Sequence, residues 1–280
     1  MEFRTQVDIP KADFEIQPCE PVLLVGSCFA DEIGRHFREE GHPTTVNPYG
    51  TMYNPVSVRH TLERWLPTLK GQASPVPRIV FLTLGTNHVY RLKETGEIVD
   101  NCEKRPQRLF REEQLTVDEC CAALQQSVEL LLQYRPDAQV VLTVSPIRYR
   151  KYGYHGSQLS KAALLLSVEQ VASKFKGLGS QHQVHYFPAF EILMDELRDY
   201  RFYAPDMLHP SPQAVGYIWE RLVDHCFSTE ARHFLDEWRP LKQALGHKPF
   251  HPESADYKAL MDKTMLKVAE LRKKYPTFAY

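Results

Sequence analysis

Five apolar runs of strand length recur along the chain, with helical patterns in the intervals between them. The runs lie at 21–27, 44–48, 78–85, 138–146 and 184–190. Apolar positions with helical spacing occupy 30–41, 54–66, 116–135, 157–175 and 211–227. Several of these helical segments open on Ser, Thr or Asn, the residues that cap helix N-termini. The alternation of strand and helix predicts a parallel sheet with helical crossovers.

The composition of the runs predicts how this sheet is covered. Segments such as LLV at 23–25 and VVLTV at 140–144 lack the polar alternation of a half-exposed strand, so both of their faces should be buried. Helices on both faces then give an α/β fold, a three-layer sandwich around a central five-stranded parallel sheet.

Two segments interrupt the alternation. Residues 86–115 form a long polar insertion with a hairpin turn around Glu94-Thr95-Gly96, which we interpret as a loop that covers the substrate. Beyond 228, two further helical patterns at about 229–245 and 254–274 are separated by GHKPFHPES. We therefore predict a main domain over 1–228 and a helical C-terminal appendage over 229–280.

Composition and charge narrow the class of protein. The 280 residues are 43% hydrophobic, and 34 Lys and Arg nearly balance 35 Asp and Glu. Such a balance favours neither nucleic acid nor an anionic membrane as partner. The opening MEFRTQVDIPKADF has no basic segment followed by an apolar core, and no apolar run is long enough to span a bilayer. We expect a cytoplasmic protein whose partner is a small molecule or carbohydrate.

Cysteine and histidine spacing gives little sign of a metal. The six cysteines include no C-x-x-C pair, which favours reduced thiols over a disulfide framework or a zinc site. His182 and His185 in QHQVH are the only metal hint, and histidines beside a short strand are more often edge residues. We expect no metal and no cofactor.

In an open parallel sheet, ligands bind beyond the carboxyl ends of the strands. The first run ends at Gly26-Ser27-Cys28, which places Ser27 on a strand-to-helix turn at the positive end of a helix. This position suits a nucleophile whose own N–H faces a developing oxyanion. A serine that merely caps the helix over 30–41 is the alternative.

A histidine with an acidic partner follows in APDMLHPSP. Asp206 and His209 lie three residues apart on a proline-flanked loop before a helix, so the carboxylate can turn back and orient the imidazole, as a catalytic triad requires. Two loop residues with no joint task are the alternative.

Two further strand ends offer hydrogen-bond donors for an oxyanion. Gly50 in NPYGT follows the second run, and Asn87 in LGTNH follows the third. The backbone N–H of Gly50 and the amide of Asn87 are candidates, although a turn glycine and a turn asparagine are the ordinary interpretations.

The fourth strand is followed by SPIRYRKYGYHG, from which we select Arg148 as a substrate contact because arginine makes forked hydrogen bonds. Tyr203 could line the cleft beside Asp206. Cys28 is a rival nucleophile, since a helix N-terminus lowers the pKa of a thiol.

These blocks, in this order, resemble the SGNH hydrolase superfamily. GSCFA at 26–30, with NPYGTMYNP, LGTNHVY, TVSPIR and DELRDYRFYAPDMLHPS, resembles the GSCFA domain family over roughly residues 20–225. The resemblance implies a flavodoxin-like fold, Ser27 as nucleophile, His209 as general base and Asp206 as its orienter. It also implies Ser27, Gly50 and Asn87 as the oxyanion hole. Here Gly26 directly precedes the serine, and His88, taken as a substrate contact, replaces the usual aspartate.

Together these features predict a serine esterase that hydrolyses an O-acyl ester, with acetyl as the expected acyl group, on a carbohydrate or small molecule through an acyl-enzyme. Two alternatives remain. One is an O-acyltransferase with the same triad, and the other is a binding module that keeps the cleft without turnover.

Overall fold

The computed structural model describes residues 4–69, 76–102, 104–176 and 183–280. Its strands are β1 Val22–Gly26, β2 Thr44–Val46, β3 Ile79–Leu84, β4 His88–Leu92, β5 Ile98–Val99, β6 Phe110–Gln114, β7 Gln139–Val144 and β8 Val184–Tyr186. Its α-helices are α1 Cys28–Glu39, α2 Pro55–Trp65, α3 Val117–Tyr134, α4 Gly153–Lys176, α5 Ala189–Glu191, α6 Pro212–Cys226, α7 Thr229–Gly246 and α8 Ala255–Lys274. A π-helical turn, Ile192–Glu196, continues α5. His182 lies outside the described residues.

The central sheet has five parallel strands in the order β2-β1-β3-β7-β8. Every residue of β1, β3 and β7 is buried, as their largely apolar composition predicts. The predicted α/β class and central parallel sheet are confirmed. Because all five strands run the same way, their carboxyl ends meet at one edge, where ligands bind in such sheets.

Successive apolar residues of β1, β3 and β7 enter alternately two hydrophobic clusters, one on each face of the sheet. Leu24 packs with α1 and α6, whereas its neighbour Leu23 packs with α2 and α3. Burial of each such leucine contributes about 1.5–3 kcal/mol. The C-terminal helices join the first cluster through Trp238 of α7 and Leu271 of α8. The predicted domain boundary at residue 228 stays a prediction.

The insertion at 86–115 is a small antiparallel sheet in the order β5-β4-β6, not an irregular loop. The turn expected at Glu94-Thr95-Gly96 joins β4 to β5, and Gly96 adopts the left-handed conformation there with φ +75°. The sequence conceals this sheet because β6 reads FREEQ, with exposed polar side chains on a strand held by backbone hydrogen bonds. Among the described residues, no helix is long and apolar enough to cross a membrane.

Candidate active site

The turn after β1 is built around Gly26. Its φ of +146° favours glycine, and a Cβ atom at this position would lie 2.0 Å from the carbonyl oxygen of Thr83 in β3. This close approach lets the backbone N–H of Ser27 donate to the same Thr83 oxygen at 2.9 Å. The strand geometry therefore fixes the backbone of Ser27 at the carboxyl edge of the sheet.

The Ser27 side chain is turned into the protein. It is 0% exposed, its Oγ lies 3.1 Å from Thr83 Oγ1, and it caps α1 by accepting the N–H of Phe29 at 3.4 Å. In this conformation Ser27 is therefore the N-cap of α1, which is the alternative role that the sequence left open. A side-chain rotation at χ1 would be needed to turn the hydroxyl toward a substrate.

The loop from Asp206 to His209 is held by its own hydrogen bonds. Asp206 Oδ2 lies 2.6 Å from His209 Nδ1, and Oδ1 accepts the N–H groups of Leu208 and His209 at 2.9 and 3.0 Å. Met207 adopts a left-handed φ of +60°, which folds the loop back over the carboxylate. These hydrogen bonds lower the pKa of Asp206 to about 2, so the group is ionised at neutral pH.

This carboxylate orients the imidazole. An ionised Asp206 accepts from Nδ1–H of His209, which leaves Nε2 as the basic nitrogen. Within the described part of the chain, no hydrogen bond to Nε2 occurs, and the His209 side chain is 49% exposed. The pair therefore has the arrangement of a general base with its orienting group.

Ser27 and the loop from Asp206 to His209, here called the histidine loop, are connected by packing and not by a direct hydrogen bond. Among the residues that the structure describes, none of the hydrogen bonds joins Ser27 Oγ to His209. Gly85 lies beside both Ser27 and Tyr149. Arg148, next to Tyr149 in the chain, donates its backbone N–H to the carbonyl of Leu208 in the histidine loop at 3.0 Å. The expected proton-transfer contact is thus absent in this conformation.

The expected oxyanion donors are engaged within the chain. Besides the Ser27 N–H, the Gly50 N–H donates to Asn47 at 2.8 Å in a turn where Gly50 has φ +95°. The Asn87 amide donates to the Leu115 carbonyl at 2.7 Å, and its own oxygen is buried without a partner. Gly50 and Asn87 serve local structure here, as turn residues ordinarily do.

A cleft of about 350 Å³ lies beside the histidine loop and includes two of the three expected substrate contacts. Arg148 and Tyr203 line it, with the guanidinium 5.2 Å above the Tyr203 ring and 4.3 Å above that of Tyr154. The Arg148 guanidinium also donates to the Met207 carbonyl at 3.2 Å. Leu193 and Phe190 give the cleft an apolar wall.

His88 does not line this cleft, contrary to expectation. It is buried and stacks on Tyr152 with ring centroids 3.5 Å apart, while its Nε2 lies 3.1 Å from Gln114 of β6. Since His88 begins β4, its side chain is taken up in attaching the inserted sheet to the segment after β7.

Sequence reasoning missed Lys161, which is 2% exposed. Its Nζ donates to the carbonyls of Gly85 and Ser145, at 2.6 and 2.7 Å, directly after β3 and β7. Burial lowers the pKa of Lys161 to about 7. A signal exists in the sequence, because Lys161 is in helical phase with the buried Ser157 and Leu164 of α4.

The thiol of Cys28 is a poor nucleophile in this environment. Burial raises its pKa to about 11, so the helix N-terminus does not make it a thiolate at neutral pH. All six cysteines are free. Among the described residues, no group of three or more His, Cys, Asp or Glu side chains is placed to hold a metal ion.

Several solved structures are weakly similar to this chain. A GDSL-like lipase from Bacteroides thetaiotaomicron is 13% identical with a TM-score of 0.46, over 73% of this chain and 86% of that one. A G-D-S-L lipolytic protein from Veillonella parvula is 13% identical with a TM-score of 0.44, over 73% and 97%. A family 3 carbohydrate esterase from Talaromyces cellulolyticus is 11% identical with a TM-score of 0.41, over 78% and 99%. Similarities this low do not carry function over to this chain.

Family models match most of the sequence. The model of the GSCFA family matches residues 21–76 and 69–222, and the model of the GSCFA C-terminal domain matches residues 238–280. No curated protein is significantly similar to the chain. The first match includes the Gly26–Ala30 motif, the cleft and the histidine loop, and it extends over more than half of the residues. The chain belongs to the GSCFA family.

Proposed function

We propose that this protein is a serine esterase of the SGNH type that removes a small O-acyl group from a carbohydrate or small molecule. The observation that carries the proposal is the 2.6 Å hydrogen bond between Asp206 and His209, at the edge of the sheet where Ser27 follows β1. A carboxylate that fixes Nδ1 leaves Nε2 ready to accept a proton.

The reaction begins when Ser27 rotates away from Thr83 and its Oγ attacks the acyl carbon. The serine proton passes to His209 Nε2, and Asp206 stabilises the imidazolium that forms. Collapse of the tetrahedral intermediate breaks the ester bond, and the leaving alkoxide takes the proton from His209. Water then repeats the sequence on the acyl-enzyme and releases the acid.

The space around Ser27 favours a short acyl group. A Cβ atom built at Gly85 would lie 3.3 Å from Ser27 Cβ, 3.3 Å from the Tyr53 ring and 2.4 Å from the Tyr149 hydroxyl. Two aromatic side chains thus crowd the point beside the serine, which supports acetyl over a long chain. The alcohol part would occupy the neighbouring cleft, where Arg148 and Tyr203 offer hydrogen bonds and an aromatic face.

The test is acyl transfer to Ser27 itself. Purified protein is incubated with p-nitrophenyl acetate, p-nitrophenyl hexanoate and an acetylated xyloside, and acid-quenched samples are mapped by mass spectrometry. We expect faster turnover of the acetyl esters and an acetyl group on the peptide that carries Ser27. Absence of both turnover and acylation would refute the proposal. Transfer of the acetyl group to added sugar faster than to water would identify the acyltransferase alternative.

A second candidate, a binding module without turnover, is favoured by one observation. Ser27 is fully buried and has no hydrogen bond to His209 among the described contacts. Saturable binding of the acetylated xyloside without acylation of Ser27 would support it over the esterase.

A further inference from the structure

The proposed esterase mechanism needs hydrogen-bond donors aimed at the oxyanion, and each expected donor group already makes a hydrogen bond within the chain. During attack the carbonyl oxygen of the ester becomes an oxyanion, and donors already aimed at it give a large share of the rate. In this structure the N–H groups of Ser27 and Gly50 and the amide of Asn87 all donate to carbonyls of the chain. A further donor beside Ser27 would therefore help to stabilise the oxyanion.

Tyr149 carries such a donor. Its hydroxyl is buried and has no hydrogen-bond partner. A buried hydroxyl without a partner is uncommon, because its desolvation is not repaid, and it invites a functional explanation. The rest of Tyr149 is well held: its N–H donates to Ser157 at 3.1 Å, and its ring packs edge-on against Tyr53 with centroids 6.0 Å apart.

The Tyr149 hydroxyl lies beside Gly85, next to Ser27. A Cβ atom at Gly85 would lie 2.4 Å from the Tyr149 oxygen and 3.3 Å from Ser27 Cβ, so both side chains border the same point. Only a glycine at position 85 leaves room for the hydroxyl there. The Gly85 backbone is itself fixed, since its N–H donates to Tyr53 at 2.8 Å and its carbonyl accepts from Lys161 at 2.6 Å.

Tyr149 keeps its proton in this environment. Burial raises the pKa of its phenol above the ordinary value, with smaller contributions from Cys28 and Tyr53. A neutral phenol can donate to an oxyanion without giving up its proton. The ring also lies 5.4 Å from Lys161 Nζ, which places a partly protonated amine behind the donor.

We propose that Tyr149 is a catalytic residue whose hydroxyl donates a hydrogen bond to the oxyanion formed when Ser27 attacks the ester. This inference rests on the proposed function. As the Oγ–C bond forms, the carbonyl π electrons move to oxygen, the serine proton moves to His209, and Tyr149 donates without transferring its proton. When the intermediate collapses, the C=O bond reforms, the bond to the alcohol breaks and the hydrogen bond from Tyr149 weakens.

The experiment compares Tyr149→Phe with the parent on p-nitrophenyl acetate. Loss of one oxyanion donor lowers kcat by about 10²- to 10³-fold. KM should change by less than about threefold, because the donor acts on the transition state. A boronic acid that forms a tetrahedral adduct with Ser27 should lose affinity by a similar factor. The melting temperature should stay equal or rise, because the hydroxyl makes no hydrogen bond in the folded protein.

Two variants keep the result specific. Tyr275→Phe removes another buried phenol hydroxyl, from a ring that packs on Phe234 of α7 and that takes no part in the proposed site, and should leave kcat nearly unchanged. Gly85→Ala keeps the Tyr149 hydroxyl but displaces it, and should also lower kcat. Parent-like kcat and boronate affinity in Tyr149→Phe would overturn the inference while Ser27-dependent turnover preserved the proposed function. An equal loss in Tyr275→Phe would also overturn it, and a parent that hydrolyses no ester would overturn both proposals.

Discussion

The two parts of the candidate site are built in opposite ways. The turn that carries Ser27 is buried. Its backbone position is fixed by the pairing of β1 with β3, where Gly26 permits close contact with Thr83. The histidine loop is about half exposed and is held by hydrogen bonds that the Asp206 carboxylate accepts from residues of the same four-residue segment. One part is positioned by the core of the protein, and the other by local chain geometry.

This difference explains why the Asp206–His209 contact is formed while a contact between Ser27 Oγ and His209 is not. Asp206 and His209 need only their own loop to meet, so their contact is present without substrate. The Ser27 hydroxyl instead makes hydrogen bonds with the Thr83 hydroxyl and with the N–H of Phe29. Catalytic hydrogen bonds are often long in the absence of substrate and tighten in the reacting complex. We therefore expect substrate binding to rotate the Ser27 side chain and to leave the histidine loop unchanged.

The largest expected effect comes from Ser27→Ala, which removes the proposed nucleophile. We expect turnover of p-nitrophenyl acetate to fall on the order of 10⁶-fold, the scale found for a nucleophilic serine. The same change removes the cap of α1 and should cost about 1 kcal/mol of stability. Steady-state kinetics and urea unfolding measure the two effects separately.

Ser228→Ala is the matched control. Ser228 is also buried and caps α7 by accepting the N–H of Ala231 at 3.0 Å, so it should lose a comparable cap without loss of turnover. Equal turnover in the two variants would reduce Ser27 to a capping residue and leave only the histidine loop as a site.

Asp206→Asn tests the loop by itself and should have the second-largest effect. An asparagine oxygen can still accept the N–H groups of Leu208 and His209, but its NH₂ group would face Nδ1 and favour the wrong tautomer. We expect turnover to fall about 10⁴-fold, as in a triad, with little change in melting temperature. Asp137→Asn, at an exposed ion pair with Arg135, is the control. A loss of only about tenfold would indicate a Ser-His dyad with Asp206 as a loop residue.

Much of the fold was predictable because buried parallel strands have a strong signature. Each of the five apolar runs contains a strand. The central strands β1, β3 and β7 have the clearest signature, since strands covered on both faces are mostly apolar. The insertion was harder to predict. Strand β6 is half exposed and charged, and its pairing with β4 depends on backbone hydrogen bonds, which leave no hydrophobic period.

The site was predictable where it depends on short segments. The Asp206–His209 bond follows from a three-residue separation on one loop. The orientation of the Ser27 hydroxyl depends instead on Thr83, 56 residues away, and the side chain of Asn87 is bound by Leu115. Such partners are brought together by sheet packing and by the inserted strands, so no local pattern reports them. Lys161 was missed because a lysine in a long helix is ordinarily solvated.

Lys161→Met should change the pH dependence of stability. A lysine with a folded pKa of about 7 binds fewer protons than the unfolded chain up to the ordinary value near 10.4, so its contribution to stability rises with pH across that interval. The slope approaches about 1.4 kcal/mol per pH unit for a single group. Urea unfolding of the parent and variant at pH 7.5, 8.5 and 9.5 should show a widening difference in stability.

At neutral pH the same variant leaves the carbonyls of Gly85 and Ser145 without their donor, which should cost about 1–3 kcal/mol. Lys174→Met, at an exposed position of α4, is the control and should follow the parent at every pH. Parallel stability curves for Lys161→Met and the parent would show that Lys161 titrates as an exposed lysine does.

The smallest expected effect is that of Cys28→Ala, next to the proposed nucleophile. With its pKa raised to about 11 by burial, the Cys28 thiol is almost entirely protonated at pH 7.5 and gives little nucleophile. We expect kcat for p-nitrophenyl acetate to stay within about twofold of the parent, since the change removes one small side chain and no proton-transfer group. Mass spectrometry should still find the acetyl group on Ser27. Abolished turnover in Cys28→Ala, together with an active Ser27→Ala, would instead transfer the nucleophilic role to the thiol.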